Sequence, residues 1–137
     1  MNYKPAYKYW LHLLARIQAQ EGKYQDAAAT INDLKLIKSK LGYWSTPYDR
    51  AFFFDAIGQI YEKIKQPLDA EQACREALSY NPHYAFARYH LARLLRSRGA
   101  VADARREFES FLTDWQNADS DNPELAEARR EVSEARK

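Results

Sequence analysis

The sequence has few of the residues from which catalytic and metal sites are built. It contains one cysteine, Cys74, so it cannot form an internal disulfide bond, and a reducing compartment suits it. One cysteine and three scattered histidines lack the close pairs of a zinc site. With only four glycines, little irregular backbone is available, and the sequence has neither a phosphate-binding glycine loop nor a nucleophile elbow. We therefore expect no enzyme activity, no metal and no cofactor.

An excess of charge of one sign is also absent. Lys and Arg total 21 and Asp and Glu total 19, so the formal net charge is only +2. This balance excludes the overall positive field that drives binding to nucleic acids or anionic membranes. The longest apolar run near the start, residues 9–15, contains His12 and is followed by Arg16, so it is too short and too polar for a signal sequence or membrane span. We expect a cytoplasmic protein.

The sequence does contain three copies of one repeating unit. Residues 51–84 align with the segment that follows them at an offset of 34 residues, and with the segment before them at an offset of 43. Small residues recur at one position of the unit and large or polar ones three positions later, in the pairs Ala15 and Gln18, Gly58 and Tyr61, and Ala92 and Leu95. Such self-similarity is typical of repeat architectures.

Each unit has the pattern of a helical hairpin. Apolar residues recur with a period near 3.6, and glycine, proline or asparagine separates the periodic segments. We predict a single all-α domain over residues 1–137, an α-solenoid of three antiparallel helix hairpins (repeats about 8–41, 51–84 and 85–118). A capping helix over about 122–136, begun by Asn122, is expected to cover the last hairpin with a polar outer face.

The 34-residue period resembles the tetratricopeptide repeat. The residues that carry the resemblance are Phe54, Ile57, Gly58, Tyr61, Ala70, Ala77 and Pro82. It covers roughly residues 8–116 and implies a right-handed superhelix. The sequence departs from the family pattern at Gln18, at Lys65, which replaces the glycine between the two helices of the second unit, and at Gln116, which replaces the terminal proline of the third.

The C-terminal segment is similar to the end of tetratricopeptide arrays in bacterial signalling and regulatory proteins. The similarity rests on Phe111, Leu112, Trp115, Ala118, Asp119, Asp121, Pro123, Glu124 and Leu125. It implies that the chain is the C-terminal part of a longer array. The aromatic residues near its start, Tyr3, Tyr7, Tyr9 and Trp10, would then pack on upstream repeats or on a second copy; alternatively, they cover the first hairpin.

In stacked hairpins the first helix of each pair lines the concave side. The face that remains for binding holds Tyr9, His12, Arg16, Phe52, Asp55, Gln59, Phe86, Tyr89, His90 and Arg93. This aromatic, mildly basic composition predicts a groove for an extended or helical peptide with apolar anchors and one or two acidic groups, which Arg16 and Arg93 would bind. The alternative is that these residues form ordinary solvated helix faces.

Two isolated reactive residue types have simpler interpretations. Cys74 stands where the repeat requires a buried apolar side chain, so we expect a small hydrophobic residue rather than a reactive thiol. His83 and His90 share a helix face but are too far apart to bind one metal, so we expect ordinary surface or groove histidines.

The sequence therefore predicts a non-enzymatic scaffold that binds a protein or peptide partner, and neither nucleic acid nor membrane. Some tetratricopeptide domains clamp the C-terminal carboxylates of a chaperone with lysine and asparagine. Those positions hold His12, Arg16, Ala56, Phe86 and His90 here, so we expect no tight binding of such tails.

The alternative function is a structural or self-assembly module, a homodimer or part of a larger regulatory protein, that associates through Tyr7, Trp10 and Trp44. Trp44 lies in the long connection of residues 35–50, which has nine residues more than its counterpart and either tucks its aromatics against a helix or presents them to a partner. A third possibility, a small secretion-type chaperone of three repeats, fits the length but not the near-neutral charge.

Overall fold

The computed structural model describes residues 6–41, 47–117 and 122–135. Within these ranges the chain forms seven helices and no strand. The helices are α1 (Ala6–Gln20), α2 (Tyr24–Leu41), α3 (Pro47–Lys63), α4 (Pro67–Tyr80), α5 (Ala85–Ser97), α6 (Val101–Asp114) and α7 (Pro123–Ala135). The predicted all-α fold class is confirmed, and each predicted helix is present with its ends shifted by no more than a few residues.

The helices pack in sequence as hairpins. Helix α1 packs along α2, α3 along α4, and α5 along α6, and these are the first, second and third hairpins. The first and second hairpins touch mainly through α1 and α3, and the second and third mainly through α4 and α5, with a smaller contact of α3 with α5. Helix α7 packs on α6. A continuous core runs through the stack, with Ile31, Ile57, Phe108 and Leu125 fully buried along it. This is the arrangement of a short α-solenoid.

The first helix of every hairpin ends in the same hydrogen-bonded turn. After α3 the N–H of Gln66 donates to the carbonyl of Tyr61 at 2.9 Å, with a second bond from the Lys65 N–H, which together form a Schellman motif. Gly22 and Gly99 occupy the position of Lys65 in the other two hairpins, with φ of +78° and +85°, and Lys65 itself has φ of +65°. The absent glycine changes the side chain but not the backbone turn.

Helices α3 and α4 approach each other closely at Gly58. A Cβ at this position would lie 3.3 Å from the Ala70 carbonyl oxygen and 3.4 Å from the Cys74 sulfur. Ala15 and Ala92, the equivalents of Gly58 in the other hairpins, are completely buried. The small residue that recurs at this position thus lies in the interior of every hairpin. The expected burial of Cys74 is confirmed.

Helix α7 closes the C-terminal end of the stack. The side-chain Oδ1 of Asn122 accepts a hydrogen bond from the N–H of Leu125 at 3.0 Å, which confirms the predicted N-cap. Leu125, Ala128 and Val132 are buried in the common core. The opposite side of the helix is polar and exposed, with Arg129, Arg130, Ser133 and Glu134. The last hairpin is therefore covered by a helix that presents a charged surface to solvent.

None of the described helices combines the length and apolarity that crossing a membrane would require. The aromatic pair of the long connection, Tyr43 and Trp44, lies outside the described residues.

Candidate functional site

Helices α1 and α3 leave an open groove between them on the concave side of the stack. Two cavities of about 320 Å³ and about 300 Å³ occupy this groove, and His12, Phe52 and Ala56 line both. Volumes of this size are at the lower end of those that bind ligands in proteins. The larger cavity lies toward the C-terminal ends of the two helices and the smaller toward their N-terminal ends.

The smaller cavity, called here the aromatic pocket, is walled by two exposed rings. Tyr9 is 66% exposed and Phe52 is 53% exposed, whereas Phe53 beneath them is buried. Lys8 lies 4.9 Å above the centre of the Tyr9 ring, so its charge is held at the margin of the pocket. The pocket thus offers apolar surface to a side chain from outside the chain.

The larger cavity, called here the basic pocket, carries two cationic side chains. Arg16 on α1 and Lys63 on α3 line it together with the amides of Gln20 and Gln59, and all four are exposed. Within residues 6–41, 47–117 and 122–135, neither Arg16 nor Lys63 has an ion-pair partner. Buried Ile60 contributes an apolar patch to the lining.

His12 lies where the two pockets meet. Burial of the imidazole, and secondly the nearby charge of Arg16, lower the pKa of His12 from its ordinary value of 6.5. Its Nε2 is enclosed and makes no hydrogen bond within the described part of the chain. The imidazole is therefore neutral near pH 7, and the positive charge of the basic pocket comes from Arg16 and Lys63.

Two of the predicted groove residues contact each other across the second and third hairpins. The Nδ1 of His90 on α5 lies 2.7 Å from Oδ1 of Asp55 on α3, and Nε2 of Gln59 donates to Oδ2 of Asp55 at 3.3 Å. Asp55 is 3% exposed. Its carboxylate is thus satisfied inside the chain and does not neutralise the basic pocket.

The remaining predicted groove residues lie against the C-terminal part of the fold. The hydroxyl of Tyr89, which is 7% exposed, donates a short hydrogen bond to Glu127 of α7, and burial together with this bond raises the pKa of Tyr89. Arg93 lies 3.6 Å from the same carboxylate, and Phe86 packs edge-on against Trp115 with ring centres 5.1 Å apart. Arg93 therefore already has a carboxylate within the chain, contrary to the expectation that it awaits one from a partner.

The structure also adds residues that sequence reasoning missed. Lys63 and Gln20 extend the groove by one helical turn, since they lie four residues beyond Gln59 and Arg16 on the same helix faces. That spacing is the signal that would have found them. Phe53 also lines the smaller cavity.

A second candidate surface lies on α1, among exposed side chains that line neither cavity of the groove. Tyr7, Trp10, Leu13 and Ile17 are exposed there on one stripe, and the rings of Tyr7 and Trp10 stack with centres 5.7 Å apart. We call these four residues the front face. Among the described residues, groups of His, Cys, Asp and Glu side chains that could hold a metal ion do not occur.

The fold defines a helical repeat protein. The family model of the tetratricopeptide repeat matches residues 65–132, that is, α4 to α7. The resemblance read from the sequence is therefore confirmed over these residues. The narrower similarity of the C-terminal segment to regulatory proteins stays a prediction. Among curated proteins, a search found no match to the chain.

Solved structures extend the tetratricopeptide fold over the first hairpin as well. PcrH from Pseudomonas aeruginosa has a TM-score of 0.75 at 17% identity, with 99% of this chain and 96% of PcrH covered. The type III secretion chaperone SycD of Yersinia enterocolitica, in complex with a peptide of the translocator YopD, has a TM-score of 0.65 at 21% identity over 96% of this chain and 90% of SycD. The first repeat domain of Spaghetti, bound to an HSP90 peptide SRMEEVD, scores 0.68 at 19% identity over 93% and 91%. At these identities the likeness is one of fold.

Proposed function

We propose that this chain is a non-enzymatic scaffold that binds a segment of a partner protein in the groove between α1 and α3. The observation that carries the proposal is the pair of adjoining cavities, about 320 Å³ and about 300 Å³, beneath the exposed rings of Tyr9 and Phe52. Burial of exposed apolar surface is worth about 25 cal/mol per Å², and aromatic rings over a cavity are the anchors on which interfaces depend.

Two solved neighbours support the proposal by analogy of fold. SycD is in complex with a peptide of YopD, and Spaghetti is bound to a chaperone peptide. Both use a fold of this kind to hold a short segment of another protein. We transfer to this chain only that mode of use, and not the identity of either ligand.

Selection from a phage-displayed library of short random peptides, followed by titration calorimetry of the selected peptides, tests the proposal. Phe52→Ala and Tyr9→Ala should each weaken binding about tenfold or more, because truncation of an anchor in a pocket typically costs about 2 kcal/mol. Leu68→Ala is the matched control, since Leu68 is a large exposed side chain on α4, away from the groove. Selected peptides whose affinity is the same for all four proteins would contradict the proposal.

The front face favours a second candidate function, self-association of two copies. Four large apolar side chains on one helix form a patch of the kind that marks interaction sites, and the patch contains no charge that would repel a second copy. The other end of the stack is closed by the charged side of α7, so head-to-tail stacking would leave the front face against Arg129 and Arg130. Association of front face with front face, about a two-fold axis, instead buries this apolar patch on both partners.

Sedimentation velocity over a range of concentrations separates this candidate from a monomer. A dimer of the wild type that Trp10→Glu converts to a monomer supports the front-face interface, with Leu68→Glu as the control at an exposed apolar position elsewhere. A wild type that stays monomeric throughout, or a dimer that survives Trp10→Glu, removes self-association through this face.

A further inference from the structure

We infer that the segment bound in the groove is extended and carries an apolar side chain and, about three residues away from it, an acidic side chain. The apolar side chain enters the aromatic pocket, and the acidic one enters the basic pocket. This inference rests on the proposed function, because it names the chemistry of the partner for the same groove.

The two pockets lie in line along the groove. The aromatic pocket is lined by Tyr9 and Phe52, and the basic pocket by Arg16 and Gln59, so residue numbers rise together on α1 and α3. The two helices therefore run side by side in the same direction. A partner segment that follows the groove meets the apolar surface at one end and the cations at the other.

The basic pocket has a positive charge that the chain does not neutralise. Arg16 and Lys63 have no carboxylate partner among the described residues, and the carboxylate that lines this pocket, Asp55, is buried and bonded to His90 and Gln59. In the third hairpin the situation is different, because many arginines pair with carboxylates of the chain itself. Those pairs include Arg88 with Glu107, Arg93 with Glu127 and Arg96 with Glu131. The free cations of the first two hairpins thus fit a carboxylate from outside.

The spacing follows from helix geometry. Tyr9 and Arg16 are seven residues apart on α1, as are Phe52 and Gln59 on α3, which corresponds to about 10 Å along a helix. An extended chain of the polyproline II type advances about 3.1 Å per residue with three residues per turn, so side chains three residues apart lie about 9 Å apart on the same side of the segment. A helical partner would be about 10–12 Å wide, which is bulky for two cavities of about 300 Å³ each, and for this reason we infer an extended segment.

The inferred site differs from a clamp for a chain terminus. Its two cations come from different hairpins, Arg16 from the first and Lys63 from the second, and a carboxylate between them can belong to an internal Asp or Glu. The bound side chain would then join the two hairpins electrostatically. Since both cations are exposed, the contribution of each pair is modest and decreases with added salt.

Synthetic peptides with one Trp and one Glu separated by different numbers of neutral residues test the inference. The peptides carry an acetylated N-terminus and an amidated C-terminus, so that the Glu side chain is their only charge. We expect the tightest binding, by fluorescence anisotropy, when two residues separate Trp from Glu. Lys63→Glu and Arg16→Glu should each weaken that peptide about fivefold, whereas Arg130→Glu on the outer side of α7 should not. The same peptide with Lys in place of Glu should bind Lys63→Glu more tightly than the wild type.

The outcomes separate this inference from the proposed function. Affinity that does not depend on the Trp–Glu spacing, or that is unchanged in Lys63→Glu and Arg16→Glu, overturns the inference. If the same peptides, or those selected by phage display, still lose affinity with Phe52→Ala, the groove function stands without the acidic site. If Phe52→Ala also has no effect, the groove function fails as well. Binding of none of the synthetic set overturns the inference, and the phage selection then decides the function by itself.

Discussion

The Nδ1 atom of His90 lies 2.7 Å from a carboxylate oxygen of Asp55, and this contact joins α5 to α3 on the concave side of the stack. Asp55 also accepts a hydrogen bond from Gln59, so both of its carboxylate oxygens have partners. A buried carboxylate in this state links two hairpins that otherwise meet mainly through apolar packing. The two residues, predicted as partner contacts, thus contribute to the cohesion of the array.

Asp55→Ala should lower the free energy of unfolding by about 1–3 kcal/mol, because it leaves His90 and Gln59 without their shared acceptor. Urea denaturation followed by circular dichroism measures the change. Asp33→Ala, at an exposed aspartate in the middle of α2, is the matched control and should change stability by less than about 0.5 kcal/mol. Equal effects of the two substitutions would show that the contact with His90 does not stabilise the fold.

Lys65→Gly should stabilise the protein by about 0.5–1 kcal/mol. Lys65 has a positive φ of +65°, a conformation that costs a residue with a Cβ about 1–2 kcal/mol. Glycine removes this cost, but part of the gain is lost because glycine also increases the conformational entropy of the unfolded chain. Gly99→Ala, at the equivalent turn, should have the opposite sign, since its added Cβ meets nothing within 4 Å and only the backbone conformation is affected. Thermal unfolding of the two variants beside the wild type would reveal the reversal, and a change of the same sign in both would contradict it.

Acidification should destabilise the fold partly through His12. Because burial and Arg16 lower the pKa of His12 below 6.5, the unfolded chain binds a proton at this residue more readily than the folded one. The stability from neutral His12 is therefore present above pH 6.5 and is lost as the pH falls from that value through the folded pKa. The decrease in unfolding free energy between about pH 7.5 and about pH 5 should be smaller in His12→Gln than in the wild type.

The matched variant for this experiment is His83→Gln, at an exposed histidine in the turn before α5. It removes an imidazole that lies 3.4 Å from Asp114 and leaves His12 in place. Both variants retain the Asp55–His90 contact, so its contribution cancels from the comparison. An unchanged pH dependence in His12→Gln would contradict the expectation.

The capping helix should be an integral part of the folded unit. Leu125→Ala removes a completely buried side chain from α7 and should cost about 2–4 kcal/mol. Leu68→Ala makes the same chemical change at an exposed position and should cost less than about 0.5 kcal/mol. If Leu125→Ala unfolds with the same midpoint as Leu68→Ala, the last helix is not part of the cooperative core.

The thiol of Cys74 should be unreactive in the folded protein. Burial of the side chain raises the pKa of Cys74, so both access and thiolate formation are suppressed. A colorimetric thiol reagent at about pH 8 should react slowly with the native chain and at once after addition of denaturant. Rapid reaction of the native chain would mean that α3 and α4 separate locally.

The helices and their packing could be predicted because their signals are local. The helical period and the small residue at Gly58 act within one helix or one hairpin, and both recur in each of the three units, so each unit supports the prediction made from the others. Asn122 likewise acts only on the start of α7. The turn at Lys65 shows that the fold of a hairpin persists even where one residue departs from the repeat pattern. Its Schellman bonds form without glycine, because the repeat and its packing override the preference of one residue.

The candidate site could be predicted only in part, because it depends on how hairpins are placed against one another. Tyr9, Arg16 and Phe52 lie on the groove as their helix faces require. The contact of Asp55 with His90 joins residues 35 apart in sequence, and the helical period of each segment gives no signal for a contact between two hairpins. The pairing of Arg93 with Glu127 was missed for the same reason. The groove residues were predicted from the first helix of each hairpin, and Glu127 lies on the capping helix α7.

The weaker seam of the stack coincides with the groove. Helix α4 packs closely along α5, whereas α2 touches α3 at few places, so the first hairpin is joined to the rest chiefly through α1 and α3. Both pockets straddle this joint. Local opening of the first hairpin would dismantle both, and a segment bound across them would raise the free energy of that opening in proportion to its concentration and affinity. Binding of a partner segment in the two pockets would therefore slow amide hydrogen exchange in α1 and α2, including at residues that the segment does not contact.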